Sequence, residues 1–592
     1  MSETKKLEPF GEISESFKAL KDEGIYYVDK TGFIPYLITQ KRKICVVTRP
    51  RRFGKTLMLR TLQTFFEYAL DDDGKPVDNR RYFDGLKVME AGDDVLKEMG
   101  QYPVISLSFK EVSGNTFEDV IEQLRGAVCE ASVPHEKMLK ESGSLSNGQL
   151  EILQSYLDGE ASCGNLRLFL KYLPIWLNKV THKKTVILLD EYDVPLQKAA
   201  IYEFHNPGSK LFNETVALIS QFISAGFKSN NNLAYGIIAG CMHVAKESIF
   251  TGMNNPGVIT VTSRIPDEFW GFTEPEVREM LSYYAIEDKY EMLEKWYDGY
   301  EYSGRKVFNP VSLLNAIRGL VNGEDEDAIK SYWAMTSSND IIDEMIDNNP
   351  QHREALARLM NGETMTVPVF DNLSYRDLKQ NPDAIWSFLL YTGYLKPVEI
   401  KKDDDDLWIA EVAVPNKEIL TVMKSSMQHW WKDIRLKSFD ARPLAQALWN
   451  GDVASIEREI NGIMNDSISV KDAKEDFYHG MLVGVLNTQC EVNSNRESGE
   501  GYPDIVVISN NHAAILELKC LLPSVLDKIP RNEQYSRTPV MMQKLLDEAE
   551  EQIRTRNYIE GLMFEKPLVT EVKAYAVCFC KKRCAVRMVV GE

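Results

Sequence analysis

The sequence predicts an α/β protein with a parallel-sheet domain near its start and a second α/β domain at its end. The first observation is an apolar strand, a tight loop and an amphipathic helix in succession over residues 43–66. The second is a buried-strand pattern, residues 185–191, that ends in two acids. The third is a pair of apolar strands joined by two asparagines near the C-terminus. Strands separated by helical segments are typical of a parallel sheet covered by helices.

The loop in the first observation ends in Gly-Lys-Thr directly before the helix. In that context the loop amides and the helix N-terminus hold phosphates, the lysine reaches the β- and γ-phosphates, and the threonine hydroxyl binds Mg²⁺. Arg49 stands where the usual motif has its first glycine, so a different backbone path is expected. We therefore predict an ATP-binding loop made of Arg49, Pro50, Arg51, Arg52, Phe53, Gly54, Lys55 and Thr56.

The acids at the end of the second strand complete this prediction. Asp190 is placed to support the Mg²⁺ ion, and Glu191 is placed to polarise a water for attack on the γ-phosphate. Acids at strand ends are sometimes only helix caps, so binding is better supported than hydrolysis. Further strands are predicted at residues 104–109, 233–239 and 258–261, with helices at 166–180 and 213–225.

The C-terminal strands predict a second site. If Asn510 and Asn511 form a two-residue hairpin loop, Ser509 pairs with His512, and counting outward places Asp504 opposite Glu517. Facing residues have Cβ atoms about 4.5–5.5 Å apart, so two carboxylates there can share a divalent ion. Lys519 lies on the same face as Glu517.

Two acids and a lysine at one edge of a hairpin suit metal-assisted phosphodiester hydrolysis. Asp504 and Glu517 are predicted to hold Mg²⁺, which prefers oxygen ligands, while Lys519 orients the attacking water or offsets phosphate charge. The alternative is a solvated Glu-Leu-Lys on an exposed strand. For a lone Glu-x-Lys that alternative would be preferred, but Pro503-Asp504 stands in register with it.

Composition limits the class of protein. The net charge of −19 argues against a protein that coats polyanions generally. Residues 471–592 are nearly neutral, with 16 Lys and Arg against 18 Asp and Glu, and four of the cations stand at 581, 582, 583 and 587. No apolar span approaches a membrane helix, and the start lacks the apolar core of a signal peptide. The nine scattered cysteines indicate reduced thiols, so we expect a cytoplasmic protein with no membrane partner.

Four regions are predicted along the chain. They are a P-loop domain (1–285), a helical lid (286–345), a mixed helical and hairpin middle region (346–465) and the C-terminal α/β domain (466–592). Within the second and third regions we predict turns at 296–300 and 307–310 and a hairpin turn at 403–406. Thr273 is predicted to cap a helix together with Glu276.

These motifs together resemble a family of prokaryotic AAA-like ATPases that carry a C-terminal PD-(D/E)xK nuclease-like domain. The stretches that carry the resemblance are 27–31, 49–56, 189–195, 245–255, 271–274, 296–300, 309–310, 336–339, 477–479, 494–499, 503–504 and 517–519. Arg49 in the first-glycine position is itself a habit of this family. The resemblance implies an ASCE, AAA-like P-loop sheet domain and a four-residue nuclease-type centre.

The resemblance also implies roles for single residues. Glu475 would be the acid from the first helix of the centre, or else only an exposed charge, and Gln552 resembles a helix residue that supports such centres. His243 stands where relatives carry an arginine, or is only a hydrogen-bonded surface residue, and Lys246 would then take over γ-phosphate sensing. Tyr502 stands where a basic residue is common, which weakens phosphate contact there.

The sequence therefore predicts an enzyme that binds and hydrolyses ATP and whose nucleotide state controls a Mg²⁺-dependent nuclease that cleaves DNA or RNA. DNA is the more strongly expected nucleic-acid partner. One alternative is a nucleotide-switched sensor or defence protein with slow turnover, in which ATP binding drives assembly into a homo-oligomer. Another is a nucleic-acid-binding ATPase with an inactive nuclease domain. Retention of the three residues Asp504, Glu517 and Lys519 argues against the last.

Overall fold

The structure is a computed structural model of the whole chain. It describes residues 14–40, 43–71, 74–242, 244, 249, 253, 256–260, 263, 267–302, 305–324, 329–332, 350–360, 362–370, 373–403, 406–424, 441–467, 475–486, 490–494, 503–509, 511–526, 528–566 and 569–591. The chain divides into two compact units. The first contains residues 1–341 and 364–420, and the second contains residues 342–363 and 421–592.

A five-stranded parallel sheet forms the centre of the first unit. Its strands are β1 (Ile44–Thr48), β2 (Val104–Ser108), β3 (Thr185–Asp190), β4 (Leu233–Gly240) and β5 (Gly257–Ile259). They lie in the order β2-β3-β4-β1-β5, so one strand separates β1 from β3. The paired strands are parallel, and every residue of β1 and β3 is buried, as a sheet covered on both faces requires. The predicted parallel α/β domain is confirmed.

Helices cover and extend this sheet. They are α1 (Phe17–Asp22), α2 (Phe33–Thr39), α3 (Lys55–Phe66), α4 (Asp93–Leu96), α5 (Phe117–Ser132), α6 (Glu136–Glu141), α7 (Asn147–Leu157), α8 (Cys163–Arg167), α9 (Phe169–Thr181), α10 (Val194–His205), α11 (Leu211–Phe227), α12 (Glu274–Tyr283), α13 (Tyr290–Tyr297) and α14 (Pro310–Val321). The helix predicted at 166–180 is interrupted at Leu168, which separates α8 from α9. Glu276 accepts hydrogen bonds from the Thr273 amide and hydroxyl at the start of α12, as predicted for the cap.

Two small antiparallel sheets complete the first unit. One consists of β6 (Phe272–Thr273), β7 (Tyr300–Tyr302) and β8 (Arg305–Phe308). The prediction that 296–300 and 307–310 are turns is therefore wrong in part, because β7 and β8 pair with each other and β8 pairs with β6. The other sheet contains β9 (Met365–Pro368), β10 (Lys396–Lys402) and β11 (Trp408–Ala413), and β10 and β11 form the predicted hairpin.

The second unit is built on a mixed five-stranded sheet. Its strands are β12 (Glu491–Ser494), β13 (Ile505–Ser509), β14 (His512–Cys520), β15 (Glu571–Cys580) and β16 (Arg583–Gly591), in sequential order. Only the β14–β15 pair is parallel. The described helices of this unit are α15 (Pro350–Met360), α18 (Arg442–Asn450), α19 (Val453–Ser467), α20 (Glu475–Leu486), α21 (Pro523–Leu526), α22 (Arg531–Thr555) and α23 (Tyr558–Glu565). Two further helices, α16 (Asp377–Gln380) and α17 (Ala384–Thr392), belong to the first unit.

Separate apolar cores lie on the two faces of this sheet. Helices α18, α19 and α20 pack on one face, and α22 packs on the other. Within the described parts of the chain, no helix combines the length and apolar character that crossing a membrane would need.

Candidate functional sites

The loop between β1 and α3 wraps around the side chain of Lys55. Gly54 adopts a left-handed conformation (φ 80°) that favours glycine, and α3 begins at the next residue. The buried Lys55 Nζ donates hydrogen bonds to the carbonyl oxygens of Arg49 and Pro50, each at 2.9 Å. The ammonium group therefore lies within the loop, directly before the N-terminus of α3, where an anion would be favoured.

Thr56 and Asp190 meet at the carboxyl edge of the parallel sheet. Thr56 Oγ1 donates a 2.6 Å hydrogen bond to Asp190 Oδ2, and Asp190 Oδ1 accepts a hydrogen bond from the amide of Glu191. Burial raises the pKa of Asp190. Two oxygen ligands held side by side, one of them a buried carboxylate, fit Mg²⁺.

Glu191 has a positive φ of 53°, which is uncommon for a residue other than glycine. Burial raises the pKa of its carboxyl group, and the neighbouring charge of Asp190 raises it further. A strained backbone beside paired acids is found more often at functional positions than elsewhere. The Glu191 carboxyl therefore combines a raised pKa with a position directly after β3, beside Asp190.

Two residues that the sequence analysis did not single out fix the end of β4. Asp193 Oδ2 accepts hydrogen bonds from the amides of Cys241 and Met242, each at 3.0 Å. The Tyr192 hydroxyl donates to the Met242 carbonyl and accepts a 3.2 Å hydrogen bond from the Val244 amide. We call Tyr192 and Asp193 the β4 clamp. The sequence signals for it are a third acid shortly after Asp190 and Glu191 and the place of both residues in the 189–195 stretch of the resemblance.

The other loop residues have different surroundings. The Arg49 side chain is fully buried and donates to the Thr48 carbonyl at 3.1 Å, and Arg51 donates to Gln197 at 3.2 Å. Phe53 packs edge-on against Tyr300, with ring centroids 5.1 Å apart. Pro50 is buried, and Arg52 is partly buried with a positive φ of 67°. The sensing residues predicted from the resemblance, His243 and Lys246, lie outside the described residues.

The C-terminal hairpin has the register obtained by counting from the two asparagines. Ser509 pairs with His512, and the ladder ends where Ile505 pairs with Leu516, one residue short of Asp504 and Glu517. Asp504 Oδ2 accepts a 2.7 Å hydrogen bond from the Leu518 amide, which places the carboxylate beside β14. Asn510 and Tyr502 lie outside the described residues.

Glu517 is a buried acid with one oxygen that makes no hydrogen bond. Its side chain is 1% exposed, and its Oε2 atom is without a partner in the structure. Burial raises the pKa of this carboxyl to about 7, with Asp504 and Glu475 adding to the shift. An orphaned buried carboxylate oxygen fits a cation, since burying an uncompensated charge is otherwise costly.

Lys519 joins this acid to the helices around it. Its Nζ atom lies 3.4 Å from Glu517 Oε1 and donates a 3.1 Å hydrogen bond to Gln552, which in turn donates to the Tyr558 hydroxyl at 3.3 Å. His479, which the resemblance includes in the 477–479 stretch without assigning it a role, lies on the helix that Glu475 begins, with Nε2 2.9 Å from the Asp504 carbonyl oxygen. The described residues do not contain three acid, histidine or cysteine side chains already closed into a metal cage. A Mg²⁺ ion tolerates this, since it keeps several waters.

Comparison with known proteins gives two family matches. Residues 12–250 match a family described as "Predicted AAA-ATPase", and residues 473–588 match the PD-(D/E)XK nuclease superfamily. These matches confirm the resemblance inferred from the motifs. A protein of Azotobacter chroococcum mcd 1, described as "Uncharacterized protein in vnfD 5'region", is 26% identical over 364 residues. The match covers 60% of this chain and 59% of that protein. No solved structure matches the chain significantly.

Proposed function

We propose that this chain, which carries an AAA-ATPase-like domain and a C-terminal PD-(D/E)XK nuclease superfamily domain, couples ATP hydrolysis to Mg²⁺-dependent cleavage of nucleic acid. The proposed nuclease activity is supported by one observation, the unpartnered Oε2 atom of buried Glu517, which lies beside Asp504 and Lys519. Buried carboxylate oxygens are usually hydrogen-bonded, so an unpartnered one beside a second acid and a lysine supports a cation site. The predicted domain limits at 285, 345 and 465 belong to this proposal, as does a cytoplasmic location.

At the ATP site, different residues bind the phosphates, hold Mg²⁺ and activate the attacking water. Lys55 leaves its two loop carbonyls and donates to phosphate oxygens instead, as its charge favours. Thr56 and Asp190 hold Mg²⁺, which when bound neutralises charge on the phosphates. Glu191 accepts a proton from the attacking water, because its raised pKa makes it a better base than an exposed carboxylate. Arg49, Pro50, Arg51, Arg52, Phe53 and Gly54 shape the loop, and Lys246 senses the γ-phosphate.

At the nuclease site, Asp504 and Glu517 hold a second Mg²⁺ with help from Glu475. That ion when bound supplies Lewis-acid activation at the scissile phosphate. Lys519 orients the attacking water and offsets negative charge on the phosphate, while Gln552 fixes the position of the ammonium group. The substrate is nucleic acid, with DNA favoured over RNA.

A nucleotide-switched sensor is a second candidate, and the β4 clamp favours it. The residues that directly follow Glu191 are hydrogen-bonded to the segment after β4, so a displacement of Glu191 would displace that segment as well. Such a switch would bind ATP tightly, hydrolyse it slowly and use the bound state to drive homo-oligomer assembly. Measured turnover separates the two candidates.

The test of the main proposal is cleavage by the purified protein. Plasmid, single-stranded DNA and RNA are incubated with Mg²⁺, with and without ATP, and the products are resolved on gels. We expect Asp504→Ala and Glu517→Ala to abolish cleavage, because a Mg²⁺ site with few protein ligands cannot spare one. Lys519→Ala should retain Mn²⁺ affinity and lose turnover. Glu560→Ala, which removes an exposed acid from the same unit, is the matched control. Nicking by Asp504→Ala at the parental level would refute this centre.

A further inference from the structure

The two-residue turn between β15 and β16 carries adjacent cations at the same sheet edge as the nuclease site. Cys580 pairs with Arg583, so Lys581 and Lys582 form the turn. Lys582 and Arg583 are exposed, and Lys581 is partly exposed. We call residues 581–583 the basic turn.

The strand register fixes where this turn lies. Because β14 and β15 are parallel, Glu517 pairs with Ala576 and Cys520 pairs with Phe579, and both strands end at the same edge. The turn follows Ala576 by five residues, which is roughly 17 Å at about 3.3 Å per residue. On duplex DNA that distance corresponds to about five base-pair steps of roughly 3.4 Å each.

The surroundings of the turn hold its backbone in place. The Tyr478 hydroxyl donates a 2.7 Å hydrogen bond to the Lys581 carbonyl, and the Tyr478 ring stacks on Phe579 at 4.2 Å. Behind the turn, Asn461 accepts a hydrogen bond from the Cys584 amide at 2.8 Å. The cations are therefore presented from a fixed backbone position, which suits a phosphate contact that sets the register of a duplex.

The fourth cation of this C-terminal cluster is used differently. Arg587 contacts Asp547 at 2.6 Å and Glu550 at 2.9 Å, both on α22, and is thereby committed to that helix. Its ion pairs explain why it does not extend the basic surface. Within the basic turn, Lys582 and Arg583 are exposed at the sheet edge that also carries the proposed nuclease site.

We propose that the basic turn binds the phosphate backbone of DNA a few nucleotides from the cleaved phosphate. This inference rests on the proposed nuclease function. The acids Asp504 and Glu517 repel the phosphates of DNA, and the positive charge of the basic turn would offset that repulsion. The contact is with phosphate, so it is independent of sequence and weakens as salt is raised.

The test is DNA binding by the full chain, measured by fluorescence anisotropy on a labelled duplex in EDTA, where metal-dependent cleavage is absent. Lys582→Gln/Arg583→Gln should lower affinity severalfold and reduce the slope of log affinity against log salt by about two, since each phosphate contact contributes about 0.9. Lys528→Gln/Lys544→Gln removes the same charge at exposed positions of the same unit and should change neither quantity. Lys582→Arg/Arg583→Lys keeps the charges and should bind like the parent.

Failure of this inference and failure of the proposed function give different results. An unchanged slope in Lys582→Gln/Arg583→Gln, an equal loss in the control, or a parent that binds no DNA would overturn the basic turn as a DNA contact. A parent that binds DNA through the turn and cleaves nothing when Mg²⁺ and ATP are supplied would overturn nuclease activity and support the turn.

Discussion

The hydroxyl of Thr56 donates a 2.6 Å hydrogen bond to the carboxylate of Asp190, joining the first turn of α3 to the end of β3. Residues that are 134 positions apart in sequence are thus brought together across the intervening strand β4. The bond keeps adjacent the two oxygens that we propose as Mg²⁺ ligands. It also partly offsets the burial that raises the pKa of Asp190.

The first prediction concerns this pair. Thr56→Val should lower affinity for ATP in the presence of Mg²⁺ and leave affinity in EDTA close to the parental value, because only the metal contact is lost. Thr56→Ser keeps the hydroxyl and should behave like the parent. Lys55→Ala should lose binding in both conditions, since the ammonium group meets phosphate directly. Isothermal titration with ATP measures all of these, and equal losses with and without Mg²⁺ in Thr56→Val would refute the metal role.

The second prediction separates binding from hydrolysis. Glu191→Gln should bind ATP like the parent but release phosphate at least about 100-fold more slowly, because an amide cannot accept the proton from water. Phosphate release under saturating ATP is the measurement. Glu214→Gln, an exposed change on α11, should leave the rate unchanged. A parental rate in Glu191→Gln would leave this acid with a structural role only.

The third prediction tests the β4 clamp through Gly240. A Cβ atom at this position would lie 2.5 Å from Asp193 Oδ1 and 2.6 Å from the Tyr192 ring. Gly240→Ala should therefore cost about 1–3 kcal/mol of stability, as overpacking does, and should slow ATP hydrolysis by displacing the clamp. At Gly126, inside α5, the added Cβ meets nothing within 4 Å, so Gly126→Ala should stabilise the protein slightly. Denaturant unfolding and phosphate release on both variants give the comparison.

Short sequence patterns predicted the structural features that depend on residues close together in the chain. The asparagine pair determined the β13–β14 register because side-chain direction in strands alternates strictly, and Gly-Lys-Thr located the start of α3 to within two residues. Pairings between distant segments could not be read this way. Strands β7 and β8 are short, and β8 also pairs with β6 at Phe272, which is distant in sequence. Their local sequence therefore resembles that of turns. The bonds of Asp193 to Cys241 and Met242 depend equally on the folded sheet.

The last prediction uses the ionisation of Glu517. Its pKa in the folded protein is about 7, above the ordinary value of 4.5, so between these pH values the folded state retains a proton that the unfolded state has lost. Stability without metal therefore falls as pH rises from about 4.5 to about 7, by at most about 1.4 kcal/mol per unit of pKa difference.

Glu517→Gln removes this loss because the amide stays neutral. In EDTA the variant should melt at a higher temperature than the parent at about pH 8, and the gap should shrink towards about pH 5. Mn²⁺ at about pH 8 should reverse the order, since binding to the folded state stabilises only the chain that retains the carboxylate ligand. Calorimetry of the transition that Mn²⁺ shifts in the parent is the measurement, with Glu560→Gln as the exposed control. A difference in melting temperature that does not depend on pH, or a parent whose melting temperature does not change with Mn²⁺, would show that Glu517 is not a metal ligand.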